Sequence, residues 1–250
     1  RVNTQRGYVM PGLGTIINVA AIILGGLLGK LCSRFLSGRY QDTLSKTCGV
    51  CVLFIAIGGA MEEILSISGN TIVSGKSLLI ISCLALGALL GELCNLEDKF
   101  EQFGEWLKNK TGNAKEKNFV EGFVTASLTV SIGAMAIVGS IEDGIFGDYS
   151  ILATKAILDF IIILVMTCSM GKGCAFSAIP VACFQGLLTI LARLVKPLMT
   201  DAALSNLSLI GSILIFCVGL NLIFGKKIRV ANLLPSILLA IIIAFLPLGV

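Results

Sequence analysis

The chain has 250 residues, of which 56% are hydrophobic and only 14% charged, with a net charge of +4 and a mean hydropathy of +0.95. Soluble domains carry about 25% charged residues, so the composition excludes an ordinary soluble core and points to an integral membrane protein. The small positive balance is spread along loops and gives no nucleic-acid surface. There is no histidine, which removes Ser-His-Asp and Cys-His catalysis and any histidine-ligated metal. No enzyme, cofactor or metal is expected.

Residues 1–9 (RVNTQRGYV) are polar where the chain beyond them is apolar, and they read as an upstream extension or expression-derived remnant, with 10–250 forming one transmembrane domain. The first span, about 15–31, lacks a small-residue cleavage site and reads as retained. Asn18 lies early in it. Seven further apolar segments lie at about 44–64, 77–93, 119–141, 151–170, 174–194, 204–224 and 230–246, each of a length suited to a span. The expected fold is therefore all-α: a polytopic transmembrane helical bundle of about eight spans. Thirteen of the 19 Lys and Arg residues fall after odd-numbered spans. The positive-inside rule then places both termini outside the cytoplasm of a bacterial inner membrane.

Cys48 and Cys51 form a lone C-x-x-C without a second pair or a βαβ context, so they read as helix packing. Between the third and fourth spans, Leu96, Phe100, Phe103 and Leu107 recur on one helical face. With Trp106 beside them, 96–108 reads as an amphipathic helix at the cytoplasmic interface. A solvated linker is the alternative.

The stretch Glu121–Asp159 carries the densest polarity at membrane depth. Thr129, Ser131 and Ser140, together with Gly133, Met135 and Gly139, run into Glu142 and Asp143. Such polarity is tolerated inside a bilayer only against other protein or along a wet cavity. The segment reads as cavity-lining, either continuous or broken. Asp159 lies about 12 Å into the next span at 1.5 Å per residue, with Lys155 one turn earlier on the same face. An ion pair near the interface and a coupling-ion or proton site both fit these two residues. Glu142 and Asp143, with Asp148 nearby, form either a surface turn or a cation-attracting mouth, and Glu62 and Glu63 hold the equivalent place after the second span. Asn18, Gln185, Asn221 and Asn232 suit interhelical hydrogen bonding, substrate contact being the alternative. Pro180 and Pro235 should kink their spans.

Ala21–Cys32 (AIILGGLLGKLC) and Cys83–Cys94 (CLALGALLGELC) share seven of twelve positions, including Gly25/Gly29 and Gly87/Gly91. A weaker copy, Val181–Leu191, carries Gly186. These glycines read as helix-packing positions. Spans three to five then look related to spans six to eight. A three-span unit repeated in tandem inserts upside down, as in many secondary transporters. Duplication without a transport cycle is the other account.

The opening Pro11–Gly29 (PGLGTIINVAAIILGGLLG), Gly133–Gly144 (GAMAIVGSIEDG) and Lys155–Asp159 (KAILD) resemble an uncharacterised bacterial integral membrane family, a domain of unknown function that includes YdfK and YqgA. The resemblance runs from Met10 to the C-terminus and implies polytopic membrane residence. Members carry Cys-Val-Gly-Pro-Met where this chain has Val130-Ser131-Ile132-Gly133-Ala134-Met135. The proline is absent at Ala134, so the resemblance argues against a sharp helix break here.

Together these features lead to a secondary transporter or exporter of a small solute or ion. It would be coupled through Asp159 with Glu142 or Asp143, and substrate would run along Ser131–Ser140. A passive channel with an acidic mouth is the second expectation. A non-transporting structural or regulatory partner, docking through the amphipathic helix, is the third. The expected partners are the lipid bilayer and the unidentified solute or ion, with a homo-oligomer also compatible with the glycine motifs.

Overall fold

The computed structural model describes residues 11–68 and 71–245; the N-terminal stretch 1–9 lies outside them. Long apolar runs without interior proline form α1 (Leu13–Ser33), α2 (Gly38–Ile64) and α3 (Ser77–Cys94). A short antiparallel hairpin, β1 (Leu65–Ser68) and β2 (Thr71–Ser74), joins α2 to α3 in the register Leu65↔Ser74 and Ile67↔Ile72. Asn95 adopts φ 49°, the left-handed conformation that asparagine tolerates at a helix end, and turns the chain from α3 into α4 (Leu96–Lys110). Next come α5 (Phe119–Ser131), α6 (Ala134–Phe146) and α7 (Ser150–Met170). The 3-10 turn Lys172–Ser177 leads into α8 (Ala178–Ile190), followed by the single turn α9 (Ala192–Val195) and by α10 (Asp201–Phe224). The 3-10 turn Val230–Leu233 precedes α11 (Pro235–Ile243). Pro235 opens α11, where a missing N–H costs nothing, while Pro180 sits in the first turn of α8.

Six helices among the described residues are long and apolar enough to cross a membrane, and the bent α5–α6 pair makes a seventh if it is one span. The segment Val230–Ile243 is a shorter apolar helix. Chain direction decides the status of the bent pair. Gly14 lies beside Leu152, Gly25 against Phe160 and Gly29 against Leu164, so α1 and α7 run parallel. Parallel neighbours need an odd number of crossings between them. The helices α2 and α3 supply two, so α5 and α6 together make the third. The remaining pairs agree: α2 runs antiparallel to α10, with Gly49 at Ile223 and Gly59 at Ser212, and α3 is antiparallel to Val230–Ile243, with Gly91 at Asn232 and Gly87 at Ser236. Large apolar side chains such as Leu27, Phe54, Leu89, Ile161 and Leu238 are exposed around the bundle. A belt of that size in a single chain needs an apolar surrounding, which a bilayer provides.

The continuity that the missing proline implied at Ala134 does not hold. The axes of α5 and α6 diverge by 63°. Gly133 takes φ 151° and ψ 149°, a backbone region favoured by glycine and costly for other residues. The break is thus written by a glycine and needs no proline. Gly133→Ala should lower stability by about 1–3 kcal/mol, read as a drop in melting temperature in detergent. An unchanged melting temperature would remove Gly133 as the origin of the bend.

The amphipathic helix α4 is tied to the bundle. Gly104 faces Phe123 and Val120 of α5, and Leu107 is buried, while Phe103 stacks on the exposed Trp106 with ring centroids 5.7 Å apart. Its first turn is clamped by the Val230–Leu233 turn: the Glu97 N–H donates to Asn232 Oδ1 at 2.7 Å, and the Ala231 N–H donates to Glu97 Oε2 at 2.8 Å. Lys226 pairs with Glu97 at 2.8 Å and also with Glu101. Partial burial pulls the Lys226 ammonium down, but hydrogen bonds to Glu101 and Glu97 outweigh it and hold the group above the usual lysine range. At the opposite end of the bundle, Ser205 of α10 bonds both Lys76 and Glu63, which fixes the base of the hairpin.

Candidate functional site

Breaking a helix frees its last carbonyls, because the donors one turn ahead leave the helical path. The donor for the Val130 carbonyl would be Ala134, beyond the bend. Lys155 takes its place, its ammonium donating to Val130 O at 2.7 Å. The same ammonium bonds Asp159 Oδ2, one turn further along α7. Both side chains are buried, at 8% and 5% exposure. At 1.5 Å per residue, Asp159 lies about 14 Å from the start of α7, near the middle of a hydrocarbon core of about 30 Å. The negative end of α5, a cation and a carboxylate therefore form one buried cluster at the bend.

A polar ladder extends from this cluster between α1 and α8. Asn18 faces Asp159 and donates to Gln185 Oε1 at 3.3 Å. One turn earlier on α1, the Thr15 and Thr189 hydroxyls are 3.4 Å apart. Above them the Gly14 N–H, one of the free donors of the α1 first turn, donates to Asp143 Oδ2 at 3.0 Å. Asp143 is fully buried, and its other oxygen has no partner among the described residues. A carboxylate at a helix N-terminus is favoured by the dipole, which gives Asp143 a role in anchoring α1. Thr15 and Thr189 do not stand out in the sequence. Their signal is the four-residue spacing of Gln185 and Thr189 opposite Thr15 and Asn18.

The polar span divides at the bend. Thr125 lines a cavity of about 500 Å³ with Glu97, Glu101, Glu105, Glu121, Lys117 and Lys226, at the end that carries α4. Ser127, Ser131 and Gly133 line a second, apolar cavity of about 540 Å³. Leu128 borders both. The later residues lie in dry packing: Gly139 sits against Leu152, and Ser140 donates to its own Ala136 carbonyl at 2.6 Å. Thr129 likewise bonds Thr125 O at 2.8 Å. Substrate contact therefore has room at Ser127–Gly133 and none at Gly139–Ser140. Met135 is 39% exposed on the outside of α6, and Glu142 is half-buried. Asp148 bonds the Ser150 hydroxyl and N–H, which hold its carboxyl below the usual range.

Asn221 stands apart from the Lys155–Asp159 cluster and lines the acidic cavity at the α4 end; its amide donates to Ile228 O at 2.7 Å and accepts from the Lys227 and Ile228 N–H groups at 2.9 Å, closing the loop after α10. One helix-packing assignment changes. Gly186 has no close neighbour among the described residues, where a Cβ would meet no atom within 4 Å. Gly25, Gly29, Gly87 and Gly91 do face close neighbours, and Cβ atoms there would stand 2.6, 2.5, 2.0 and 1.8 Å from the nearest one.

Residues 13–245 match the family described as "Protein of unknown function (DUF554)". The chain belongs to the DUF554 family. It is 31% identical over 232 residues to the "Uncharacterized membrane protein YdfK" of Bacillus subtilis (strain 168), covering 93% of this chain and 95% of that protein. It is 30% identical over 241 residues to the "Uncharacterized protein YqgA" of Escherichia coli (strain K12), covering 91% and 94%. No solved structure matches it. The apolar helices and the DUF554 relative described as a membrane protein agree on a membrane location.

Proposed function

We propose that this DUF554 chain is a secondary transporter or exporter of a small solute or ion in the bacterial cytoplasmic membrane, coupled through Asp159. The observation that carries the reading is the Lys155–Asp159 pair gripping the Val130 carbonyl at the broken end of α5. An unpaired charge at the centre of a span costs roughly 2.5–3.5 kcal/mol on insertion scales. Here each group supplies the other's counterion. A proton or cation that neutralises Asp159 leaves Lys155 without its counterion, loosens the hold on Val130 and frees α5 to pivot at Gly133. The shift in population equals the difference in proton or cation affinity between the two arrangements. The inverted relation of spans three to five and six to eight would supply the two access states. Both termini would lie outside the cytoplasm.

In proteoliposomes under an imposed pH gradient, screened with labelled solutes, the wild-type protein is expected to accumulate its substrate. Asp159→Asn should stay monodisperse and accumulate none. Wild-type rates from that variant would end the coupling role. The acidic cavity at the α4 end favours a passive cation channel as the second reading. Discrete conductance steps in planar bilayers, without any driving gradient of a second ion, would select it.

A further inference from the structure

The apolar cavity at the helix bend contains two groups that its walls do not satisfy. The Ser127 and Ser131 hydroxyls are shielded and have no hydrogen-bond partner among the described residues, and the Ser127 residue is only 1% exposed. Buried hydroxyls are normally paired. The usual local solution in an apolar helix is a bond back to the carbonyl four residues earlier, and Thr129 and Ser140 take it. Ser127 and Ser131, one turn apart on the same face of α5, do not, and both line the cavity. The remaining lining is apolar and holds no charged side chain, with Ile137, Phe184, Leu207 and Leu238 among the walls. At the rim, Leu187 on α8 and Leu238 on α11 are 56% and 64% exposed on the lipid-facing belt. The cavity therefore opens sideways to the hydrocarbon, between α8 and α11.

We infer that this cavity binds an uncharged, mostly apolar molecule bearing a hydroxyl or carbonyl, which enters from the bilayer. A hydrated ion would lose its shell against walls that offer it no charge. A plain acyl chain would fill the space but leave both hydroxyls unmet. The volume of about 540 Å³ lies within the 300–1,000 Å³ common for small-molecule sites. The inference names the substrate class of the proposed carrier and rests on that reading. The link between them is the last turn of α5, where Ser131 faces the occupant while the neighbouring Val130 carbonyl is held by Lys155.

The test is photolabelling of the full chain in liposomes with an octanol carrying a diazirine, against a diazirine-bearing octane without the hydroxyl, mapped by mass spectrometry. The alcohol should label Ile137, Leu207 and Phe184 roughly five-fold above the octane, the ratio expected for one hydrogen bond. Ser127→Ala with Ser131→Ala removes only unpaired hydroxyls and should bring the alcohol down to the octane level. Cys183→Trp, at the exposed rim, should remove both labels. Equal labelling by the two probes, or an undiminished alcohol label in the double serine variant, overturns the inference. Asp159→Asn should keep the label. Labelling without transport of any solute would sink the carrier alone, and transport without labelling would sink this site alone.

Discussion

Lys155→Met should destabilise the bundle severely. It leaves Asp159 buried at 3% exposure with no cation and leaves the Val130 carbonyl without its donor. Removing one partner of a buried ion pair costs about 3–5 kcal/mol, because the other charge stays behind in a poor solvent. At this chain length that amounts to a melting-temperature drop on the order of 10 °C, by the scaling for soluble domains. Combining Lys155→Met with Asp159→Asn should restore most of the loss, since a neutral amide has no charge to strand. Thermal melting of the three variants in detergent closes the cycle. If the single replacement melts like the wild type, the pair is not what holds the end of α5. The double variant should fold yet show no gradient-driven uptake, which separates stability from coupling.

Gly91→Leu should abolish the folded protein, whereas Gly186→Leu should leave yield and melting unchanged. A Cβ on Gly91 would lie 1.8 Å from the Asn232 carbonyl oxygen and 2.5 Å from its carbon. The obstacle is backbone, so no rotamer change relieves it, and the loss should exceed the 1–3 kcal/mol or so usual for overpacking. Displacing Asn232 also breaks its bond to the Glu97 N–H and with it the clamp on α4. Gly186 faces open space in this chain. Size-exclusion profiles after identical purification give the comparison. A monodisperse Gly91→Leu, or an aggregated Gly186→Leu, would show that the close approaches do not rank the two sites. An effect at Gly186 seen only at the level of oligomer size would place that residue between copies of the chain.

The spans were legible because lipid imposes one rule, long apolar runs, and these segments obey it. The hairpin was not, since Leu65–Ser68 and Thr71–Ser74 are only four residues each and half polar, too short a pattern to stand out between two long spans. The bend at Gly133 depends on one backbone angle that composition does not encode; hydroxyl density hinted at it, and the absent proline argued the other way. Asp159 and Lys155 stood out because a charged pair deep in an apolar run is rare. Their third partner, a main-chain carbonyl, has no sequence signature at all. Asn221 and Asn232 look alike in sequence as lone amides in apolar surroundings. Only the fold distinguishes an amide that closes its own loop from one that clamps a neighbouring helix.

The partners of α1 come late in the chain. Gly14 bonds a residue 129 positions downstream, and Thr15 meets one 174 positions downstream. During synthesis the first span leaves the ribosome long before the segments that will cover Asn18 exist. Its amide therefore lacks its Gln185 partner until α8 has been made, and shelter by the insertion machinery would spare it that exposure. Nascent chains arrested before Thr189 emerges should consequently remain crosslinkable to that machinery through α1. Release should come only once α8 has been delivered.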